Sequence, residues 1–335
     1  MFKSIRVGNH VAMTVFTLVW GSNFIFAELA VQEMTPLVFS AARFALGGTT
    51  LAVLYGISKW FNHRTKSTQA NDIKWSMRDL GVVYVAAMLG AVMAPWMGIE
   101  GLAHTNGARA ALWLAFAPLV SGILGRRFRT EKLGVAGMVG VALGLVGGVV
   151  LALDGIQSKA DFWIGDLLLF GSVLAAVAEL HLLKPILSKR SPIRVMMQRT
   201  VFGGLIYLLI ALPAGVALPW TQLPDIVWIA LAFGGVLAIG IGHWVQGSAI
   251  RTIGPTRVVL YHNVVPVIAL LASALLVQGR PSFVELVAIV LIVLGIGMVQ
   301  LTDTRQSHHV TEAERTAVLS TSQIMKPEMA TRQAS

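Results

Sequence analysis

Residues 36–48 read PLVFSAARFALGG, and residues 192–204 read PIRVMMQRTVFGG. In each, a proline is followed seven residues later by an arginine, Arg43 or Arg199, and then by a glycine pair, Gly47-Gly48 or Gly203-Gly204. An arginine sunk in an apolar stretch, written twice in one chain, points to two related halves. Two further registers flank this one in chain order. Leu18, Gly21 and Ser22 match Leu168, Gly171 and Ser172, and Trp96, Arg109, Trp113 and Pro118 match Trp244, Arg257, Tyr261 and Pro266 at a constant separation of 148 residues.

The surroundings of these stretches decide the class. The 335 residues are 56% hydrophobic and 13% charged, and the mean hydropathy is +0.73, far from the composition of a soluble domain. The apolar residues come in blocks of about 20 with almost no charge, the length that crosses roughly 30 Å of hydrocarbon as a helix. A helix satisfies its own backbone where no water is available to do so. Reading the blocks between charged or Pro/Gly-rich breaks gives spans over 11–30, 37–58, 79–101, 107–125, 132–153, 164–183, 194–213, 226–249, 255–277 and 283–301. The expected fold is therefore an all-α membrane protein of ten transmembrane helices, two inverted-topology five-helix repeats. Five is odd, so the second repeat enters the membrane from the other side.

Charge sets the orientation. With the N-terminus inside, the outside loops hold only Lys159 and Arg280. Arg43, Arg109 and Arg199 fall within spans, and every other Lys and Arg of the 26 is cytoplasmic, as the positive-inside rule requires. The domain reading is a cytoplasmic N-terminus over 1–10, a first repeat over 11–153, an outside linker over 154–163, a second repeat over 164–301 and a disordered cytoplasmic tail over 302–335. Lys3 and Arg6 precede the first apolar stretch as in a signal peptide, but its length and the nine similar stretches after it favour a retained anchor. The net charge of +10 is an inside-loop bias, and nucleic-acid binding is excluded because no soluble basic module exists to present it. The chain has no cysteine, which removes disulfides, thiolate metal sites and cysteine nucleophiles. No Walker, His-Glu-x-x-His or Gly-x-Ser-x-Gly motif is present, and no cofactor or metal is expected; His308 and His309 read as a solvated pair in the tail.

Several stretches resemble the drug/metabolite transporter superfamily, in its EamA-type repeat family: Trp20-Gly21-Ser22-Asn23-Phe24 in the first span, Pro36 with Ala42-Arg43-Phe44 in the second, Pro118 in the fourth, and Glu131-Lys132-Leu133 opening the fifth. The resemblance covers about residues 11–301. It implies a central cavity between the halves and gradient-driven movement of amino acids, drugs or other metabolites, commonly outward, in a bacterial-style inner membrane. The second half departs from the pattern, with Phe170-Gly171-Ser172-Val173 where the first has Trp-Gly-Ser-Asn, and the basic run Arg126-Arg127-Phe128-Arg129 replaces a more apolar approach to Glu131.

Ionisable groups inside a bilayer are costly and each needs a role. Glu28 and Arg43 fall near the expected outer surface, Glu179 and Arg199 near the inner one, so they read as two ion-pair gates; the plainer role is to tie helices together or to snorkel. The expected substrate-binding residues are Trp20, Ser22, Asn23, Trp96, Trp113, His243, Trp244, Tyr261, His262 and Asn263, an aromatic and amide set suited to a small cargo with an apolar part and an amine or carboxyl group. For the tryptophans, the competing role is core packing or interface anchoring. His243 and His262 are candidate carriers of a coupling proton, against the plainer role of neutral, hydrogen-bonded histidines. Pro118 and Pro266 each remove a helix hydrogen bond, and Ala136, Gly140, Gly144 and Gly148 form a small-residue packing stripe. The leading reading is a secondary transporter, an exporter of amino-acid-like or drug-like metabolites, with a small-molecule substrate, the lipid bilayer and protons as its partners. An intramembrane enzyme and a non-transporting receptor stay open, and the sequence is silent on oligomeric state.

Overall fold

The computed structural model describes residues 2–64, 75–104, 113–114, 116–128, 134–154, 163–262 and 264, together with scattered positions between 283 and 298. Everything described is helix, turn or short connection. Helix α1 is Phe2–Ala30, α2 is Pro36–Arg64, and α3 runs Met77–Ala87, widens through the π-type turns Met88–Met93 and ends as Ala94–Ala103. Helices α4 (Ala117–Arg127) and α5 (Val135–Asp154) follow. The second half repeats the series with α6 (Trp163–Lys189), α7 (Pro192–Ala217) and α8, which runs Asp225–Ala232, widens over Phe233–Ile241 and ends as Gly242–Thr252. Helix α9 is Pro255–His262.

Among the described residues, five helices are long and apolar enough to cross a membrane: Pro36–Phe61, Met77–Gly101, Ile164–Lys189, Pro192–Ala217 and Asp225–Thr252. Their outward faces are apolar. On α7, Leu205, Leu208, Leu209, Ile210, Leu212 and Val216 are all exposed, a contiguous surface that suits lipid rather than water. The expected spans over 11–30, 37–58, 79–101, 164–183, 194–213 and 226–249 lie inside longer helices, because an apolar count marks where a helix meets hydrocarbon and not where it stops being helical. Stops come from local chemistry. Proline opens α2, α7 and α9, where its missing N–H costs nothing, and the Ser76 hydroxyl accepts the Asp79 N–H at 3.0 Å to cap α3. Gly254, at φ 93°, turns the chain between α8 and α9 through a conformation that favours glycine. Pro95 does not end α3, and Pro118 stands in the first turn of α4 rather than in a helix interior. The linker over 155–162, the tail over 302–335, Arg109, Pro266 and the body of the ninth span beyond 264 lie outside the described residues.

The repeat is visible in how the helices meet. Helix α1 packs on α8 as α6 packs on α3, and α2 and α7 pack on each other. The glycine pairs make those contacts. A Cβ on Gly48 would stand 3.2 Å from Val201 Cγ2, and one on Gly204 would stand 3.4 Å from the Phe44 Cβ, so α2 and α7 approach through the two pairs. The other member of each pair faces a widened segment: Gly47 abuts Ile239 of α8, and a Cβ on Gly203 would lie 2.7 Å from the Ala91 Cβ of α3. Ala91 and Ile239 are themselves related by the 148-residue register. Against α5, a Cβ on Gly295 would come within 2.6 Å of the Gly140 carbonyl and 2.7 Å of the Gly144 nitrogen, which makes the small-residue stripe a helix contact.

At one end of the bundle, three charged connections meet. Arg190 donates to Asp79 at 2.9 Å, and the guanidiniums of Arg190 and Arg194 lie over Trp75 at 5.0 and 5.4 Å. The Lys184 ammonium donates to the carbonyls of Ile250 and Arg251 at 2.9 and 2.8 Å, a cation on the last turn of α8 where orphan carbonyls gather.

Candidate functional site

Helices α6, α7 and α8 bring three ionisable side chains into one buried cluster. Glu179 and Arg199 are 3% and 4% exposed. The Arg199 fork grips both carboxylate oxygens, Nε on Oε1 and Nη2 on Oε2, the latter at 2.9 Å. This bidentate geometry fixes both side chains. The other arm of Arg199, Nη1, lies 3.0 Å from His243 Nδ1, and the Thr200 hydroxyl lies 3.1 Å from the same nitrogen. A guanidinium only donates, so the ring nitrogen facing it carries the lone pair. Room for the carboxylate comes from α3: a Cβ on Gly90 would collide with the Glu179 carboxylate.

Arg43, the counterpart of Arg199 in the first half, has other company. Its guanidinium lies 4.4 Å from the centroid of Phe39, a cation–π contact, and among the described residues it makes no ion pair. Its Nε is buried without a hydrogen-bond partner, as is Asn23 Oδ1; Asn23 is 5% exposed. The two meet at Gly234 in the widened part of α8, where a Cβ would stand 2.6 Å from Arg43 Cδ and 2.7 Å from Asn23 Oδ1. Phe44, the residue after Arg43, brings its ring to 5.4 Å from Tyr207 and 6.2 Å from His243, and Arg199 Nη1 reaches the same histidine. The two arginines therefore flank one centre.

The remaining expected residues divide. Trp20 packs on His262 with the ring centroids 4.9 Å apart, and Gln246 Nε2 lies 3.2 Å from His262 Nε2; Gln246 follows His243 by three residues on α8, on the same face, which joins this group to the centre. Ser22 is half-buried on α1. Tyr261 is buried, with its hydroxyl 2.7 Å from His10 Nδ1. Trp113 donates from Nε1 to Asp166 Oδ1 at 2.9 Å and packs on Phe116 and Phe170. Trp96 and Trp244, mirror positions of the repeat, are 53% and 40% exposed. The Glu28 side chain and Asn263 lie outside the described residues.

Sequence reading did not find Gly90, Gly234 or Tyr207, and although it places His181 near the inner surface it did not find the hydrogen-bonded trio of Ser121, His181 and Thr256, in which the Ser121 hydroxyl lies 2.9 Å from His181 Nε2 and 3.0 Å from Thr256 Oγ1. The glycines carried a signal, since each interrupts an apolar run; the trio carried none, because its members are 60 and 135 residues apart from Ser121. No group of three or more His, Cys, Asp or Glu able to hold a metal ion occurs among the described residues.

Comparison with known proteins bears on this arrangement. The sequence pattern of the EamA-like transporter family matches residues 10–153 and again residues 163–301. The uncharacterized transporter YyaM of Bacillus subtilis (strain 168) is 24% identical over 292 residues, covering 86% of this chain and 92% of its own. The uncharacterized inner membrane transporter YedA of Escherichia coli (strain K12) is 25% identical over 305 residues, covering 87% and 90%. One solved crystal structure superposes with a TM-score of 0.71 at 17% identity, covering 88% of this chain and 98% of that one, a likeness of fold.

Proposed function

The chain belongs to the EamA-like transporter family, and on that premise we propose that it is a secondary active transporter of small amino-acid-like or drug-like metabolites, working by alternating access as an exporter. It sits in the inner membrane, where its relative YedA is placed by name, with ten spans in two inverted halves and both termini cytoplasmic. The observation that carries the reading is the shared polar centre: Phe44 of α2 from one half, its ring 6.2 Å away, and Arg199 and Thr200 of α7 from the other meet at His243 of α8. A site made by both halves is one that a rocking of the halves would open to either side.

In this reading, the Glu179–Arg199 fork closes the inner side, and Trp20 with His262 offers an aromatic face to the apolar part of the cargo. Glu28 with Arg43 is the corresponding outer gate, and Trp96, Trp113, Trp244, Tyr261, Ser22 and Asn263 complete the set of residues to be tested for cargo contact. Protons are the coupling ion, carried at His243 or His262. Reconstitution into proteoliposomes with a substrate panel, with and without a pH gradient, tests the function. Gradient-sensitive flux of at least one amino acid or drug-like compound is expected, and absence of any such flux sinks the reading. Normal transport by both Arg43→Ala and Arg199→Ala at wild-type expression would remove the gates alone.

A further inference from the structure

The two arginines of the shared centre differ in one respect that names a ligand. Arg199 already holds a carboxylate, that of Glu179, on the edge formed by Nε and Nη2. Arg43 occupies the matching place in the other half, 156 residues earlier. It presents the same donors, has no ion pair among the described residues, and its Nε is buried with nothing to donate to. Phe39 covers a face of the guanidinium and leaves in-plane donors, which is where a carboxylate docks. Next to it, at the same Gly234 backbone, Asn23 Oδ1 is a buried acceptor with no donor. Buried polar atoms are almost always partnered, and each exception asks for an explanation.

We infer that Arg43 and Asn23 form a head-group subsite for a cargo that carries a carboxylate with a hydrogen-bond donor beside it. The carboxylate takes at Arg43 the place that Glu179 takes at Arg199, and the donor, an ammonium or hydroxyl, satisfies Asn23 Oδ1. Charge points the same way. Among the described side chains of the centre, Arg43, Arg199 and Glu179 leave one positive charge over, which is costly in a membrane interior and which a cargo carboxylate balances when the outer gate of Glu28 with Arg43 is open. A cationic drug would meet Arg43 as a like charge. A phosphate dianion would overcompensate it and press oxygen acceptors on Asn23 Oδ1. Gly234 lets both side chains lie against the α8 backbone, and Trp20, three residues before Asn23 and on the same face of α1, faces the rest of the cargo. The inference rests on the transport reading only in calling the ligand a cargo.

A panel of simple probes tests the subsite whatever the natural cargo is. The full chain, purified into lipid nanodiscs, is titrated with L-amino acids bearing small, branched and aromatic side chains, each beside its carboxamide and its des-amino acid. In every set that binds, the amide should be at least about tenfold weaker than the amino acid, the worth of one charge-assisted contact. Arg43→Gln should erase that difference and Arg43→Lys, which keeps charge without the fork, should restore part of it. Asn23→Ala should narrow the gap between amino acid and des-amino acid severalfold. Equal binding of acid and amide by the unaltered protein overturns the subsite, as does an undiminished preference in Arg43→Gln or the absence of saturable binding by any probe. The unaltered protein alone decides the first and third of these, so a variant that fails to fold does not protect the idea. Flux of the same probes separates the two readings. Carboxylate-dependent binding with no flux removes transport and keeps the subsite, whereas equal flux of acids and amides keeps transport and removes the subsite.

Discussion

Arg43 on α2 and Arg199 on α7 stand at the same step of a repeated sequence, seven residues after a proline and four before a glycine pair. Their glycine pairs make mirrored contacts, yet one arginine is locked to a buried glutamate and a histidine while the other lies on a phenylalanine ring. The backbone of the two halves is repeated and the chemistry is not. Glycine and alanine set how closely helices approach, and that requirement is common to both halves. Charge compensation depends on which third helix supplies a partner, and only α6 brings a described carboxylate to its arginine.

The strongest way to break this comparison is to remove the partner. Glu179→Ala leaves Arg199 buried and uncompensated, which costs about 3–5 kcal/mol when one member of a buried pair is lost. Arg43→Ala removes a cation–π contact of roughly 0.5–2 kcal/mol together with a charge that has no counter-charge among the described residues. Thermal melting of the detergent-purified protein should therefore show a large loss for Glu179→Ala and a small one for Arg43→Ala. Equal losses would mean that the two arginines are compensated alike.

A smaller effect sharpens the same contrast at the backbone. The register that relates the halves places Gly90 opposite Ala238. Glu179 presses on Gly90, and nothing of the kind requires glycine at Ala238, which is buried as alanine. Gly90→Ala should cost about 1–3 kcal/mol through overpacking and loosen the Glu179–Arg199 fork. Ala238→Gly should cost about 0.5–1 kcal/mol, the penalty of glycine within a helix. Melting temperatures of the two variants decide it, and a Gly90→Ala protein as stable as the parent would take the cradle away.

The smallest effect comes from a polar group outside the comparison. Ser121→Ala removes the hydroxyl shared by His181 and Thr256, a neutral network joining α4, α6 and α9. A net loss of about 0.5–1.5 kcal/mol is expected for a hydrogen bond without charge, rising toward roughly 3 kcal/mol if His181 is left unsatisfied. A loss as large as that of Glu179→Ala would show that ionic character is not what separates the arginine sites.

The part of this molecule legible in its sequence is the part that follows from periodicity and composition. Apolar length identifies α2, α3, α6, α7 and α8 as long apolar helices, and the Pro-to-Arg-to-Gly-Gly register identifies α2 with α7 before either is seen. Depth along a span does not show which helices meet. Arg43 and Arg199 read as gates at opposite surfaces, and only the structure shows that Phe44, next to Arg43, and Arg199 both approach His243, because α2 and α7 cross where their glycines let them. Trp96 and Trp244 stand out by aromatic character and by the 148-residue register, neither of which gives the side of the helix they occupy. That side depends on helix rotation, and rotation is where a fixed 3.6-residue count fails in α3 and α8. Asp166 under Trp113 was beyond reach because it pairs residues 53 apart in the chain.

The widened turns Met88–Met93 and Phe233–Ile241 explain that failure and have a consequence for alignment. Each such segment accommodates surplus chain within an unbroken helix. Deleting one residue there would leave a helix of nearly the same length whose far end is turned by about 100°, the angle per residue of an α-helix. Beyond the first segment that would swing Trp96 away from its present side, and beyond the second it would carry His243 off the centre. When relatives are compared at these points, a one-residue gap should be counted as a change of direction, not as a trimmed loop.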